Sequence, residues 1–376
     1  MKKDSTVSPK ARVFPVAALA DRLAARTLEL VDIPSESGHE ERIRSHVLDL
    51  VPSWLEPEYE GDEAFLFLSP RRPYTPLVVL AGHYDTVPAQ GNVPGAISAG
   101  AVHGLGASDM KAGLAVALEL VRDLASEEPA ADVGLLLFGR EELSVEHDPL
   151  PALFERSRSI HESSLAILLE PTDGRIEAGC LGHLLAELVF HGRSGHSGRP
   201  WLAENAIARA IEGLGPLVAV PAREAVVGGL TFVETLSVTR FAAGIADNVI
   251  PDRAVATLSF RYAPDRTPEE AERFLRSLVP AEAALELRSN APAGSMDADS
   301  PLVGALLQAG ARELRPKLAW TNVADFAVRG LDAVNFGPGD PAYAHRADEK
   351  VEIAALAHAY ETLHRFLTTP IEDDAG

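Results

Sequence analysis

His83 and Asp85 stand two residues apart at the end of an apolar run, Leu77 to Val87, that reads LVVLAGHYDTV. Side chains alternate faces along a strand, so this imidazole and this carboxylate project together. A carboxylate behind a histidine fixes its tautomer and strengthens the free nitrogen as a metal donor. Alone, such a pair is more often a satisfied surface feature, and the rest of the chain has to decide. Asp109 lies in GLGASDMKAG, at the entry to a helical run, where aspartate also serves as a helix cap. Glu141 and Glu142 follow the apolar run Val133 to Phe138, although paired carboxylates are also common at surface helix starts. Glu170 closes the apolar stretch LAILL before Pro171, and His345 sits in the polar turn PGDPAYAHRADEK. Imidazoles with several carboxylates suit zinc, manganese or cobalt in a two-metal hydrolytic site. One carboxylate can bridge both ions, each then taking one imidazole and one further carboxylate. The remaining glutamate can serve as general base on a water molecule.

The elements that must hold these groups follow from apolar periodicity. Helices are expected over 16–30, 37–50, 110–124, 203–214, 268–278, 301–314 and 351–367. Strands are expected over 77–81, 133–138, 165–169, 184–190, 235–241, 254–262, 284–288 and 333–336. In the first part strands alternate with helices, which implies an α/β layer on a largely parallel central sheet, with ligands at the strand exits. After Gly179 the order becomes βαββαβ with cleanly alternating faces, a ferredoxin-like unit. Beyond Pro301 the earlier rhythm resumes, so a small domain is inserted into a larger one. Thr267 before Pro268 and two glutamates is a helix-start signal.

Composition narrows the function classes. The chain has 376 residues, 46% hydrophobic and 24% charged, which suits two globular domains. A net charge of −21 argues against a nucleic-acid or anionic-membrane partner. Cys180 is the only cysteine, which rules out an intrachain disulfide and a thiolate-rich zinc site. The opening MKKDSTVSPKARVFPVAALADRLAARTLELV lacks the unbroken apolar core of a secretory signal, and no apolar run reaches the roughly 18 residues of a membrane span. A cytoplasmic location is expected. HExxH, GxxxxGK[ST] and GxSxG are absent, and the loop from Gly104 has Asp109 where a dinucleotide fingerprint needs its last glycine.

The segments GHYDTVP, GLGASDMKAG, FGREEL, LEPT, GRSGHSGRPWLAENA, DNVIPD and NFGPGDPAYAHRADE, in that order, resemble the metallo-aminoacylase and carboxypeptidase family. The resemblance implies a zinc-exopeptidase-like catalytic domain, 1–178 with 290–376, and an inserted lid and dimerisation domain, 179–289. It implies two zinc ions per subunit, which cobalt or manganese could replace, bridged by Asp109. His83 and Glu170 would complete one ion's ligands, and Glu142 and His345 the other's. Asp85 would orient His83, and Glu141 would be the general base, a carboxylate that a mere metal holder does not need. His196 matches a histidine that reaches the partner subunit's site and steadies the oxyanion, which implies a homodimer. Asn248, Arg261 and Thr321 match positions that contact substrate, although for Arg261 a solvated strand face is the plain alternative. Within the family, EPT, AGCLGH, KLAWTNVADF and NFGPGDP are similar to the branch that hydrolyses N-succinyl-LL-2,6-diaminopimelate. The expected substrate is therefore a small N-acyl amino acid. An acetylornithine deacetylase-like activity or a metallo-exopeptidase is the alternative.

Some features depart from the family pattern. Asp325 precedes Phe326 where members usually carry an arginine for a substrate carboxylate, LSVEHDPLP after Glu142 is unusual, and His183 stands where threonine is common. Arg329, four residues on, or Arg346, beside His345, is expected to supply the missing cation.

Overall fold

The computed structural model describes residues 16–370. The reading of the basic opening segment falls in part on residues 1–15, outside the described residues. The chain begins with α1 (Val16–Val31) and α2 (Glu41–Asp49). The helix expected from Ser37 starts later, because the Ser37 N–H donates to the Thr86 carbonyl at 3.0 Å and its hydroxyl to Asp85 Oδ2 at 2.5 Å. Those bonds tie the segment to the end of a strand and take Ser37 away from helix capping. A hairpin missed in the sequence follows, β1 (Glu56–Glu60) and β2 (Ala64–Leu68), then β3 (Leu77–His83). A small hairpin, β4 (Ala96–Ser98) and β5 (Ala101–His103), leads to α3 (Lys111–Leu124) and β6 (Asp132–Phe138). Then come α4 (Leu150–Arg156), β7 (Ser163–Leu168) and β8 (Ile176–Ala178).

From Gly182 the chain builds a second sheet. Its elements are β9 (Gly182–His191), β10 (Gly195–His196), α5 (Ala206–Val218), β11 (Arg223–Val227), β12 (Leu230–Ala243) and β13 (Val249–Ile250), followed by β14 (Arg253–Tyr262), α6 (Pro268–Leu278) and β15 (Ala283–Ala291). The strand order β11-β12-β14-β9-β15 is antiparallel throughout. Without β11 this is the ferredoxin-like arrangement that the βαββαβ pattern implies. Leu184, Ala186, Leu188 and Phe190 alternate onto the face covered by Ala210 and Leu217 of α5 and Ala271 and Leu275 of α6. His183, Leu185 and Glu187 occupy the other face, only partly buried. Thr267 caps α6 in a reciprocal pair with Glu270, as its sequence signal implies.

The chain then returns through α7 (Pro301–Ala309), β16 (Leu314–Pro316), α8 (Val323–Ala327), β17 (Ala333–Asn335), β18 (Lys350–Glu352) and α9 (Ile353–Thr368). The helix expected to reach Leu314 stops at Ala309, where Gly310 turns with φ 133°, and the remainder becomes the edge strand β16. The large sheet has the order β1-β2-β6-β3-β7-β17-β8-β16. β3 runs parallel to β6 and β7, and β17 to β7, while the β1–β2 hairpin adds an antiparallel edge. Val78 and Leu80 of β3 join a core built with Leu23, Leu120 and Leu363 from α1, α3 and α9. Val79 and Ala81 join a second core with Leu153 and Phe326 from α4 and α8. Burial on both faces accounts for the unbroken apolar reading of β3 and β6.

Two passages connect the sheets, and they are bonded to each other. Cys180 N–H donates to Gly294 O at 2.9 Å and Gly294 N–H to Cys180 O at 3.1 Å. Gly179 precedes this pair at φ 61°, and a Cβ there would come within 2.6 Å of the Gly294 carbonyl oxygen. Among the described residues no helix is long and apolar enough to cross a membrane.

Candidate metal centre

β3 ends on His83, and its chain continues to Asp85, so the strand's own geometry delivers both groups to one edge of the sheet. His83 Nδ1 lies 3.3 Å from Asp85 Oδ1 and 3.1 Å from the Asp85 carbonyl oxygen. Asp85 is fully buried and gathers the neighbouring loop. It accepts from the backbone N–H of Glu141 at 3.1 Å and of Glu142 at 3.2 Å, besides the Ser37 hydroxyl. Burial alone would raise its pKa, but the bonds to His83 and the other donors hold it below the usual carboxylate range.

Asp109 stands just before α3 in a loop fixed from far along the chain. Buried Glu349 accepts from the N–H groups of Gly106, Ser108 and Asp109, each at 2.9 Å. Beneath this loop the stem of Lys111 is buried and its ammonium donates to the Ile33 carbonyl at 2.9 Å. The two oxygens of Asp109 meet different imidazoles: Oδ1 lies 3.4 Å from His83 Nε2, and Oδ2 lies 3.6 Å from His345 Nε2. His83 Nε2 is also 3.9 Å from Glu170 Oε1, and His345 Nε2 is 2.9 Å from Glu142 Oε1. His345 holds a left-handed backbone at φ 61°, and its carbonyl accepts from Gln90 Nε2 at 2.9 Å. A non-glycine residue there costs about 1 kcal/mol or more, so the turn is held by its surroundings.

The electrostatics follow from crowding. Burial pushes Glu141 well above the usual carboxylate range. The His83 charge opposes that shift, and Glu170, Glu142 and Asp109 reinforce it. Burial, then Asp109, lifts Glu170 to about 7. The bond to Glu142 lifts His345 to about 9. Burial would lower His83, but Asp109 and Asp85 overcome it and hold the imidazole well above its ordinary value.

Among the described residues two buried atoms in this cluster, His83 Nε2 and Asp109 Oδ1, make no hydrogen bond although they lie 3.4 Å apart. Orphaned buried polar atoms are costly and rare, and an ion between them is a standard remedy. Ligand atoms of His83, Asp109 and Glu142 all lie within 4.8 Å of one another. Nitrogen and carboxylate donors without thiolate fit a first-row divalent metal.

The remaining expected residues lie elsewhere. His196 is exposed on β10, where its Nδ1 accepts from the Gly198 N–H at 3.0 Å. It pairs in register with Val249, and Asn248, also exposed, accepts at its carbonyl from Ser197 N–H at 2.9 Å. Arg261 on β14 is half-buried, and among the described residues its guanidinium has no ion-pair or hydrogen-bond partner. Thr321 is buried, its Oγ1 has no hydrogen-bond partner among the described residues, and its carbonyl accepts from Cys180 Sγ at 3.6 Å.

The two unusual sequence features meet in space. Asn322 Nδ2 donates to Asp148 Oδ2 and to Asp325 Oδ2, each at 3.0 Å. Both carboxyl groups are pushed upward, by burial first. Sequence reasoning missed Ser37, Lys111, Lys317 and Glu349. Lys111, Lys317 and Glu349 lie inside GLGASDMKAG, KLAWTNVADF and NFGPGDPAYAHRADE, so their signal was membership of those segments, while Ser37 showed only polar character.

Peptidase family M20/M25/M40 matches residues 79–369. The chain is 39% identical over 345 residues to a Mycobacterium tuberculosis protein named as a candidate succinyl-diaminopimelate desuccinylase, covering 91% of this chain and 96% of that one. It is 35% identical over 353 residues to the succinyl-diaminopimelate desuccinylase of Corynebacterium glutamicum, covering 91% and 95%. A Staphylococcus aureus tripeptidase structure superimposes with a TM-score of 0.76 at 17% identity, covering 93% of this chain and 98% of that one.

Proposed function

The chain belongs to peptidase family M20/M25/M40, and from that membership we propose an enzyme that hydrolyses N-succinyl-LL-2,6-diaminopimelate to succinate and LL-2,6-diaminopimelate. The observation that carries the metal-dependent reading is Asp109, whose two oxygens each face a different imidazole, with His83 Nε2 and Asp109 Oδ1 buried and, among the described residues, without a hydrogen bond. Two zinc ions, or cobalt or manganese, would be held by His83, Asp109 and Glu170 on one side and Asp109, Glu142 and His345 on the other. When bound they would supply Lewis acidity toward the amide carbonyl and lower the pKa of the attacking water.

The chain's own residues carry the protons. Glu141, anchored through its N–H on Asp85, takes the proton from the attacking water and returns it to the leaving amine. Asp85 fixes the His83 ring through Nδ1 and leaves Nε2 as the donor. Arg261, half-buried and without an ion-pair partner among the described residues, binds a substrate carboxylate, and Asn248 and Thr321 help orient the substrate.

We divide the chain into a catalytic domain, 1–178 with 290–376, and a lid, 179–289, with β15 carrying the lid sheet to Ala291. The lid presents Trp201, Leu202, Ile211 and Val218 to solvent at 60–74% exposure, an apolar surface suited to a second copy of the chain. In such a homodimer His196 of one subunit serves the other's site and steadies the tetrahedral oxyanion.

The test is metal analysis of active protein together with assays on succinyl-diaminopimelate, acetylornithine and dipeptides. About two metal equivalents per chain, loss of activity with chelator, and preference for the succinyl substrate are expected. Active protein without a transition metal, or preference for acetylornithine or dipeptides, would overturn the assignment.

A further inference from the structure

We propose that Arg140 and Glu63 are positioning residues that brace the turn carrying Glu141 and so set the aim of its carboxylate. The proposal rests on the reading of Glu141 as general base. Only Gly139 and Arg140 separate the end of β6 at Phe138 from Glu141, so their conformation decides where the base points. Arg140 holds φ 62°, a left-handed backbone that a residue with a long side chain keeps only when its surroundings enforce it.

The enforcing contacts come from the turn of the β1–β2 hairpin. Gly139 N–H donates to the Glu63 carbonyl at 2.9 Å. Arg140 Nη1 donates to Asp62 Oδ2 at 2.9 Å, and its Nη2 lies 3.8 Å from Glu63 Oε1. The next two N–H groups, of Glu141 and Glu142, donate instead to Asp85. The turn is thus gripped at two points, by the hairpin through Arg140 and by the end of β3 through Asp85. Arg329 and Arg346, expected from the sequence to supply a cation for substrate, are engaged elsewhere. Arg329 donates to the Asp325 carbonyl at 2.6 Å, and Arg346 forks onto Asp348 at 2.7 and 2.9 Å.

Glu63 joins the two grips. It is buried, and its Oε2 accepts from the Tyr84 hydroxyl at 2.6 Å. Tyr84 is fully buried, stands between His83 and Asp85 in the chain, and donates its N–H to the Phe138 carbonyl at 2.9 Å. Arg44 of α2 also donates to Glu63 Oε1, so the carboxylate has an anchor apart from Arg140. A Cβ on Gly139 would come within 2.7 Å of Tyr84 Cε2 and 3.1 Å of Glu63 Oε2, so turn and tyrosine are packed without slack. One carboxylate therefore ties the base-bearing turn to the strand end that carries His83 and Asp85. The Asp62 side chain is 78% exposed, and an ion pair so exposed adds little to stability. Its leverage is geometric, because a misplacement of about 1 Å can cost about 100-fold in rate.

The experiment measures kcat, KM, metal content and Tm on whichever acyl substrate the wild type prefers. Arg140→Gly suits the left-handed backbone and removes only the brace. It should lower kcat about 10-fold or more, with KM, metal content and Tm close to wild type. Arg140→Lys, which keeps a cation for Asp62, should recover most of that loss. Glu63→Gln should lower kcat in the same way, and the double variant should lose no more than the weaker single one, because both act through one brace. Should buried Glu63→Gln fail to fold, the two Arg140 variants decide, since that side chain is partly exposed. Wild-type kcat in Arg140→Gly, no recovery in Arg140→Lys, loss of metal along with kcat, or losses that multiply in the double variant would overturn the proposal. Near-normal turnover in Glu141→Gln would instead fail the general-base reading, and this inference with it.

Discussion

Glu141 and Glu142 are neighbours whose backbones are treated alike and whose side chains are not. Both N–H groups donate to Asp85, but only the Glu142 carboxylate meets an imidazole, His345, at 2.9 Å. Glu141→Gln is therefore expected to keep metal content while turnover falls by roughly 10²–10⁴. Glu142→Gln should lose metal, and equilibrium dialysis with elemental analysis separates the two outcomes. His183 makes a different prediction. Burial, then the Arg261 charge, lowers its pKa from 6.5 to about 4. Between those values the unfolded chain binds the proton and the folded one does not. Folding stability is thus complete above pH 6.5 and declines as pH falls toward about 4. His183→Thr should flatten that part of the Tm–pH curve, and an unaltered acid limb would contradict the buried neutral imidazole. The proposed ligands were legible because each carboxylate or imidazole follows an apolar run or sits in a polar turn. Ser37 and Glu349 were not, because each works through a partner remote in sequence; Glu349 acts on Ser108 across 241 positions.

The loop from Gly104 to Asp109 has no regular structure of its own and takes its shape from β18's approach. Three N–H groups converge on Glu349, and the Gly104 N–H donates to the Glu349 carbonyl at 3.0 Å. Removing one side chain would release three buried donors, at about 1–3 kcal/mol for each left unpaired. Glu349→Ala should lower Tm and weaken metal binding together, although by this reading Glu349 touches neither metal nor substrate. Metal affinity unchanged in a folded Glu349→Ala protein would show that Asp109 is placed by other means. At α6, Thr267→Ala should cost about 1 kcal/mol by denaturant unfolding and leave kinetics alone. Elements with long periodic signals, such as β3, α6 and α9, could be read from the sequence. β11 escaped because five residues, Arg223–Val227, are too few for periodicity to register. Its real signal was Gly228–Gly229, both at positive φ, the pair that a tight hairpin turn requires. The edge strand β16 was hidden inside an apparent helix because only Gly310 marks the break.

On the scale of the whole molecule, the insertion was legible from the change in rhythm after Gly179, since covered and uncovered sheets alternate differently. The apolar surface proposed above as a dimer face was not, because exposed apolar residues scattered through a sequence look the same as core. Mixing inactive His196→Ala with inactive Glu141→Gln should restore some activity, because one site of a mixed dimer keeps both groups. No recovery after confirmed subunit exchange would confine His196 to its own subunit. Cys180 offers an independent probe of the crossing. It is fully buried, and burial pushes its thiol up to about 11. Thiol reagents should leave the native protein untouched and label it only on unfolding; native labelling at the same rate would mean that the crossing opens. The crossing also has a mechanical character. Two passages joined by reciprocal N–H···O bonds between Cys180 and Gly294 act as a strap rather than as two loose strings. A strap flexes across its width and resists shear. From that geometry we expect the small sheet to swing toward the candidate metal site or away from it more readily than it slides past it, which would leave the sideways placement of His183 and Arg261 unchanged.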